Sequence, residues 1–463
     1  MSWLLDLAYL ALLTAVSPVL LWRMVRHGKY RTGWSEKLLG RLSVREGAAP
    51  CLWFHAVSVG EVLQLEPVLT ELRRKLPSVE LVISTTTPTG LSVAKAKFPR
   101  DRVCYFPLDF SWAVREAMRR VRPTAIVLVE LELWPNFVLH AHRRGIPLAL
   151  INGRVSEGSS RGYARIRPLM ARWLGCFEIL AAQNALYADR LAALGAPRDR
   201  LRVTGSIKFD RVTTDRGNPQ TTELRQCFGI DRSERVFIAG STQQPEEAAA
   251  LDAYVSLSRT YPELRLIVVP RHKERFEEVD RLIESRGLPL IRRSQARATA
   301  ATASPDSPLW HGLPTVPPRR PQVSASDAQH ELQPVLLLDT LGELSACWGL
   351  ADVAFVGGSL TNRGGQNMIE PAGYGAALLF GPNTQNFRDV VEMLLAEDAA
   401  RVVHDAADLA AVLADCLANP VRAQAQGARA QKLVLAQQGA TARTVELLAG
   451  LSCFARLADS RAA

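Results

Sequence analysis

A carboxylate stands just after a turn of small residues early in the chain, in the stretch HAVSVGEV at residues 55–62. The apolar run CLWF at 51–54 precedes this turn and predicts a buried strand that ends there. In an α/β protein the carboxyl end of a strand faces the ligand crevice. Glu61 is therefore either a helix-start residue stabilised by the helix dipole or a base that takes a proton from a substrate hydroxyl.

Two further carboxylates follow a second apolar run, in TAIVLVELELWPNF at residues 124–137. Glu130 and Glu132 are two positions apart, so strand alternation places them on the same side. Such a pair is costly unless it binds something, and the alternative is that Glu132 makes a local cap or ion pair. Lys208, in VTGSIKFD, is either a surface lysine or, in a cleft, a cation for a departing phosphate.

A glycine-rich loop follows an apolar run in the second half of the chain, in GGSLTNRGGQNMIEP at residues 357–371. A strand, a glycine loop and a helix start together present backbone N–H groups to phosphate. The alternative is a tight connection between a strand and a helix. Several polar residues in the loop favour a nucleotide site; these are Asn362, Arg363, Gln366, Asn367 and Glu370.

Three other strand ends in this half carry polar groups. Arg271 follows Pro270 in VVPRHKERF, where its planar guanidinium can pair with phosphate. In DTLGEL, residues 341–343 open a predicted helix, and GSTQQPEE at 240–247 is a further strand-to-helix turn. Polar ends of several strands facing one crevice indicate a binding site more strongly than any one of them alone.

The elements that must position these residues alternate between apolar strand-like runs and amphipathic stretches. This pattern predicts α/β domains with parallel sheets covered on both faces. We predict two such doubly wound domains, at residues 31–215 and 222–425, with a flexible Ala- and Pro-rich insertion at 294–330. Residues 426–463 are predicted to form a helical tail that crosses back to the first domain.

Residues 3–25 are almost wholly apolar and have the length of one membrane span. Basic residues dominate the stretch that follows; these are Arg23, Arg26, Lys29, Arg31, Lys37, Arg41 and Arg45. By the positive-inside rule the rest of the chain stays cytoplasmic, and the basic collar can hold anionic lipids. We predict that residues 1–30 form a membrane anchor, spanning or interfacial, and the alternative is a buried core helix.

Composition limits the remaining classes of function. The 463 residues carry a formal net charge of +10, which suits an anionic partner. The aromatic residues do not interleave with basic ones as in nucleic-acid-binding proteins, so we expect no nucleic-acid partner. The seven cysteines form no CxxC pair, and there is no GxxxxGK[ST] or HExxH motif. This argues against a zinc or other metal site, a disulfide framework and a P-loop NTPase.

Nine motifs follow one another along the chain, in the order HAVSVGEV, STTTPTG, ELWPNF, AAQN, VTGSIKFD, VPRHKERF, DTLGEL, FVGGSL and RGGQNMIEP. In these motifs and in their order the chain resembles the 3-deoxy-D-manno-octulosonic acid (Kdo) transferases of lipopolysaccharide assembly. This resemblance implies a GT-B glycosyltransferase with two Rossmann-like domains and the active site between them. The implied reaction is inverting, metal-independent and cofactor-free transfer of Kdo from CMP-Kdo to the tetra-acylated lipid A precursor, lipid IVA. The implied location is the cytoplasmic side of the bacterial inner membrane, among its anionic lipids.

The resemblance also implies roles for individual residues. Glu61 is implied as the proton acceptor, and Glu130 and Lys208 as transition-state stabilisers. The segments implied to bind the CMP of the donor contain Pro270, Arg271, Leu341, Gly342, Glu343, Asn367, Met368, Ile369 and Glu370.

Two other functions remain open at this point. A soluble nucleotide-sugar epimerase of the same fold would need no membrane segment. A membrane-tethered nucleotide-sugar scaffold would not need Glu61, Glu130 and Lys208 together. The sequence also leaves open the number of Kdo units transferred and the oligomeric state.

Overall fold

The computed structural model describes residues 2–27, 32–296 and 332–454. The chain divides into two compact units, Met1–Arg211 with Gln437–Ala463 (unit 1) and Val212–Ala436 (unit 2). Residues 297–330 of the predicted insertion, and Lys29 and Arg31 of the predicted basic collar, lie outside the described residues.

Unit 1 is built on a seven-stranded parallel sheet in the order β3-β2-β1-β4-β5-β6-β7. The order reverses between β1 and β4, so ligands are expected at the carboxyl ends of these two strands. Every residue of these two strands is buried, as expected for a parallel sheet that is covered on both faces. The strands are β1 Cys51–His55, β2 Glu80–Thr85, β3 Arg102–Tyr105, β4 Ala125–Val129, β5 Leu148–Gly153, β6 Ile179–Ala182 and β7 Leu201–Val203.

Helices cover both faces of this sheet, and two apolar clusters form its core. The helices in the first part of unit 1 are α1 Ser2–His27, α2 Trp34–Leu39, α3 Val59–Lys75, α4 Pro88–Lys97, α5 Ser111–Val121, α6 Pro135–Arg143, α7 Glu157–Ala164, α8 Arg167–Leu174 and α9 Ala185–Ala193.

Unit 2 repeats the plan with a second seven-stranded parallel sheet, in the order β10-β11-β9-β8-β12-β13-β14. Its order reverses between β8 and β12, which again marks the expected ligand edge. The strands are β8 Arg235–Thr242, β9 Leu264–Pro270, β10 Leu290–Arg292, β11 Val335–Leu337, β12 Val353–Val356, β13 Ala377–Phe380 and β14 Ala400–Val402. The helices are α10 Pro219–Cys227, α11 Glu246–Ser258, α12 Phe276–Ser285, α13 Leu344–Cys347, α14 Ile369–Gly373, α15 Arg388–Ala396, α16 Ala406–Ala418 and α17 Pro420–Gln437.

The last described helix, α18 Ala440–Ala449, belongs to unit 1. Its Val445 and Leu448 lie in the same apolar cluster as Val62 and Leu65 of α3. The chain thus returns to the first sheet after completing the second. The prediction of two doubly wound α/β domains is confirmed.

Helix α1 is joined to the rest of unit 1 by a polar residue, Asp6, within its apolar sequence. The buried Asp6 carboxylate accepts hydrogen bonds from the Ser111 N–H at 2.8 Å and from the Asn136 amide at 3.0 Å. Large apolar side chains remain exposed on this helix; these are Trp3, Leu4, Leu7, Leu10, Leu12, Val16, Val19 and Trp22. Within the described ranges, no helix is both long and apolar enough to cross a membrane, so the predicted anchor stays a prediction.

Candidate active site

Glu61 lies in the first turn of α3, directly after β1, and its carboxylate folds back onto the turn. Ser58 is the N-cap, and its hydroxyl accepts the Glu61 N–H at 3.2 Å while donating to the carboxylate at 2.7 Å. The Val57 N–H donates to the same carboxylate at 2.8 Å. This reciprocal arrangement is a capping box, so the helix-start interpretation of Glu61 is correct.

The same carboxylate also has the properties of a base. Glu61 is only 7% exposed, and burial is the main reason its pKa is raised. The hydrogen bonds from Ser58 and Val57 oppose that rise, and the nearby Glu130 charge adds to it. A raised pKa makes the ionised form a stronger proton acceptor, so the two interpretations of Glu61 are compatible.

Glu130 follows β4 and has a φ of 57°, a left-handed conformation that is uncommon outside glycine. Its N–H donates to the Ile151 carbonyl at 3.0 Å, which holds the backbone in this conformation at the end of the sheet. Strained backbone of this kind persists where surrounding structure holds it and is concentrated at functional sites.

Glu132 is half-buried, and its pKa is raised to about 7, chiefly by burial and in addition by the charges of Glu61 and Glu130. The three carboxylates therefore share one electrostatic environment. Within the described part of the chain Glu132 makes no ion pair and accepts no hydrogen bond, so the local-contact alternative for Glu132 is wrong.

Lys208 lies in unit 1 as well, half-buried in the 3-10 turn Ile207–Arg211 after β7. The C-terminal segment holds this turn from the other side. The Asp210 carboxylate accepts the N–H groups of Gly439, at 2.6 Å, and of Thr441. The Arg443 guanidinium donates to the Thr204 carbonyl at 2.7 Å. The returning tail thus supports the turn that carries the candidate cation.

His55, the last residue of β1, is a further titratable group in this region. It is fully buried, and its ring stacks on Phe106 with 3.6 Å between centroids. Burial lowers its pKa to about 3, so it is neutral at physiological pH. Its Nδ1 lies 3.2 Å from both the carbonyl oxygen and the hydroxyl of Ser84. The lowered pKa makes the ring a weak proton acceptor, so Glu61 is the stronger candidate for the base.

In unit 2, the first predicted nucleotide segment lies at the carboxyl end of β9. Pro270 is the last residue of that strand, and the Arg271 N–H donates to the Thr242 carbonyl at 3.0 Å. The backbone of Arg271 is thereby fixed while its side chain is exposed. This leaves the guanidinium able to reach a phosphate.

The second segment lies between β11 and α13. Leu341 is 71% exposed, and Gly342 has a φ of 88°, which only glycine adopts readily. The Glu343 carboxylate pairs with the Arg293 guanidinium at 2.9 Å. The buried Arg293 also pairs with Glu223 at 2.7 Å. Sequence reasoning missed Arg293, because no local pattern connects it to a residue fifty positions away.

The third segment precedes and opens α14. The Asn367 amide donates to the Glu370 carboxylate at 2.9 Å, and its oxygen accepts the Ile369 N–H at 3.1 Å. Met368 is 0% exposed and Ile369 is 2% exposed, so neither side chain is available to a ligand. Asn367 and Glu370 provide the polar side chains of the segment.

The expectation that the glycine-rich loop presents backbone N–H groups to phosphate is wrong for the first residues of the loop. The N–H groups of Gly358, Ser359 and Leu360 donate to the carboxylate of Glu246, at 2.7–2.9 Å. The Gln243 N–H donates to the same group at 2.9 Å. These backbone donors hold a buried side chain of the protein, so they are not available to a phosphate.

The predicted site residues therefore fall into two groups. Glu61, Glu130 and Lys208 belong to unit 1, and the predicted nucleotide segments belong to unit 2. Over the residues that the structure describes, no cluster of three or more His, Cys, Asp or Glu side chains could hold a metal ion.

Comparisons with known proteins find a family model and relatives that carry the same description. The family model described as 3-deoxy-D-manno-octulosonic-acid transferase (kdotransferase) matches residues 30–211. The chain is 30% identical over 399 residues to the 3-deoxy-D-manno-octulosonic acid transferase of Haemophilus influenzae, covering 86% of this chain and 86% of that protein. It is 30% identical over 459 residues to the protein of the same name from Bordetella pertussis, covering 95% and 98%.

Among solved structures, the UDP-GlcNAc 2-epimerase of Neisseria meningitidis bound to UDP-GlcNAc matches with a TM-score of 0.51. The match covers 84% of this chain and 99% of that chain, at 11% sequence identity. This likeness shows a shared fold and carries no information on the reaction.

Proposed function

The chain belongs to the 3-deoxy-D-manno-octulosonic acid transferase family and is a glycosyltransferase, and on that premise we propose that it transfers Kdo from CMP-Kdo to lipid IVA. We propose that the enzyme is of the GT-B class and that the transfer inverts the anomeric centre. The observation that carries this proposal is Glu61, a buried carboxylate with a raised pKa at the switch point of the unit 1 sheet.

The proposed step is a single displacement. The acceptor hydroxyl oxygen attacks the anomeric carbon of Kdo as Glu61 takes its proton, and a new glycosidic C–O bond forms. The bond between the anomeric carbon and the phosphate oxygen breaks, and its electron pair leaves with CMP. Attack on the face opposite the leaving group inverts the configuration.

Charge on the departing phosphate rises during this step, and cations lower its energy. Lys208 in unit 1 is the proposed cation for this charge. Glu130 is the second proposed transition-state stabiliser, and its carboxylate would act on the positive charge that develops at the anomeric carbon. In unit 2, Arg271 is proposed to bind the phosphate, and the segments at 341–343 and 367–370 are proposed to bind the cytidine. These charged groups account for the proposed chemistry without a bound metal.

We also propose that the protein works at the cytoplasmic face of the inner membrane. The exposed apolar residues of α1 suit the acyl region of a lipid surface, and the net charge of +10 suits anionic head groups. Asp6 ties this helix to Ser111 and Asn136 of unit 1. A lipid acceptor would therefore meet the enzyme beside the sheet that carries Glu61.

The test is direct product analysis. The purified protein in detergent is incubated with CMP-Kdo and lipid IVA, and the lipids are resolved by mass spectrometry. We expect lipid IVA that is heavier by one or more Kdo units. Parallel incubations with UDP-GlcNAc test the epimerase alternative, and equilibrium dialysis of CMP-Kdo tests the scaffold alternative. Binding of CMP-Kdo without any Kdo-bearing lipid, or epimerised UDP-GlcNAc, would refute the proposal.

A further inference from the structure

A fully buried amide side chain lies between α3, which carries Glu61 in its first turn, and the turn that carries Lys208. This side chain belongs to Asn152, the second-last residue of β5. Asn152 is 0% exposed. The strand ladder between β5 and β6 shifts its register here, and Asn152 has a φ of 54°.

The hydrogen bonds of Asn152 reach both of these elements. The Ile207 N–H donates to Asn152 Oδ1 at 3.2 Å, and Asn152 Nδ2 donates to Gln64 Oε1 at 2.6 Å. The Asn152 carbonyl also accepts from the Gln183 amide at 3.0 Å, which fixes its backbone. The orientation of the side chain follows from Ile207, because a backbone N–H can only donate and so must face the oxygen.

Both partners are close in sequence to candidate catalytic residues. Gln64 lies three residues after Glu61 on α3, which places both on the same face of the helix. Ile207 is the residue immediately before Lys208. Two hydrogen bonds through one side chain therefore connect the position of the base with the position of the cation.

We propose that Asn152 is a positioning residue that fixes Glu61 relative to Lys208 during transfer. This inference rests on the proposed function. It explains the residue type at position 152. Asparagine combines a donor and an acceptor in a short side chain and tolerates left-handed φ, whereas aspartate lacks the donor and a β-branched residue would be strained.

The physical effect expected from loosening this link is a loss of rate. Reacting groups must be held close to their productive geometry, and displacement by about 1 Å can cost on the order of a hundredfold in rate. Substrate affinity depends on other contacts and should change little. A split between kcat and KM therefore distinguishes positioning from substrate binding.

The experiment compares three variants in unit 1 with the wild type, using the CMP-Kdo and lipid IVA assay. Gln64→Met removes the acceptor for Asn152 at similar length, and Asn152→Gly removes the side chain while accepting the positive φ. Val114→Ala opens a cavity in a core cluster that contains neither residue and serves as the control for stability alone. We measure kcat, both KM values and Tm for each.

Gln64→Met and Asn152→Gly are each expected to lower kcat by about ten- to a hundredfold, with KM values within about twofold of wild type. The double variant should be no slower than Asn152→Gly alone, because both changes break the same connection. Val114→Ala should lower Tm without changing kcat.

Two results would overturn the inference. The first is an unchanged kcat in Gln64→Met; the second is independent, multiplicative losses in the double variant. Either result with an active wild type leaves the proposed function intact. A wild type that forms no Kdo-bearing lipid would instead refute the proposed function and this inference together.

Discussion

Ser58→Ala tests how the capping box of α3 sets the chemistry of Glu61. The Ser58 hydroxyl donates to the Glu61 carboxylate at 2.7 Å, one of three donors to it, and the N–H groups of Val57 and Ser58 remain in the variant. A hydrogen bond to a charged group contributes about 1.5 kcal/mol, and one pKa unit corresponds to about 1.4 kcal/mol. Losing this bond should therefore destabilise the ionised form by about 1.5 kcal/mol and raise the pKa of Glu61 further.

The sign of the rate effect follows from the role of the base. Only ionised Glu61 accepts a proton, so kcat/KM increases with pH through the pKa of this group. In Ser58→Ala the acidic limb of the profile should move to higher pH, so that kcat/KM on this limb falls by about tenfold, and the plateau above it should persist. Loss of the N-cap should also lower the free energy of unfolding by about 1 kcal/mol.

The assay is kcat/KM for Kdo transfer, measured from pH 4.5 to pH 9, with unfolding by urea in parallel. Ser58→Thr retains a hydroxyl at the N-cap and should keep the wild-type midpoint. Identical acidic limbs in wild type and Ser58→Ala, despite the loss of stability, would refute the reasoning that this hydroxyl tunes the base.

Three other changes have expected outcomes of their own. Glu132→Gln should raise the free energy of unfolding by about 1 kcal/mol at pH 8 and change it little at pH 5. The reason is that folding raises the pKa of Glu132 from 4.5 to about 7, so ionisation of Glu132 lowers the stability of the folded protein as pH rises from about 4.5 to above 7. Equal effects of the substitution at pH 5 and pH 8 in urea titrations would contradict this. Arg293→Met should raise the KM for the nucleotide donor by about tenfold with kcat preserved, because Glu343 loses the ion pair that holds it. An unchanged KM would show that Glu343 takes no part in donor binding. Glu246→Gln should lower the free energy of unfolding by about 3 kcal/mol, since an amide cannot accept the four N–H groups that the carboxylate accepts, and a loss below about 0.5 kcal/mol would contradict that account.

Much of the fold was predictable, because alternating apolar runs and helical stretches are local signals. The buried strand before HAVSVGEV and the strand before Glu130 are both present, and they are adjacent at the switch point of the sheet. Glu61 was recognised from the same local pattern. The capping-box serine, three residues earlier, supports both interpretations that the sequence left open.

The long-range partners of the site could not be predicted in this way. Arg293 pairs with Glu343, and Glu246 fills the backbone donors at the start of the glycine loop. Each pairing joins residues from separate elements, and nothing in the spacing of the sequence indicates it. Asn152 shows the same limit, because its burial and its hydrogen bonds to Gln64 and to the Ile207 N–H arise only from tertiary packing.

The apolar N-terminal segment gives a further example. Asp6 is an acidic residue within the apolar segment that the sequence predicts to be a membrane anchor. The structure shows its carboxylate bonded to Ser111 and Asn136, more than a hundred residues away. A buried polar group with satisfied hydrogen bonds is stable in such a place, so Asp6 is a docking residue for α1.

The most direct test of the central claim is the initial rate of Kdo transfer in Glu61→Gln relative to wild type. Glu71→Gln is the matched control, because Glu71 lies on the same helix in an exposed ion pair with Arg74. General-base catalysis contributes about a hundredfold to ten-thousandfold, so Glu61→Gln should be slower by at least about a hundredfold while Glu71→Gln stays near wild type. A Glu61→Gln enzyme that transfers Kdo at the wild-type rate would contradict the assignment of Glu61 as the base.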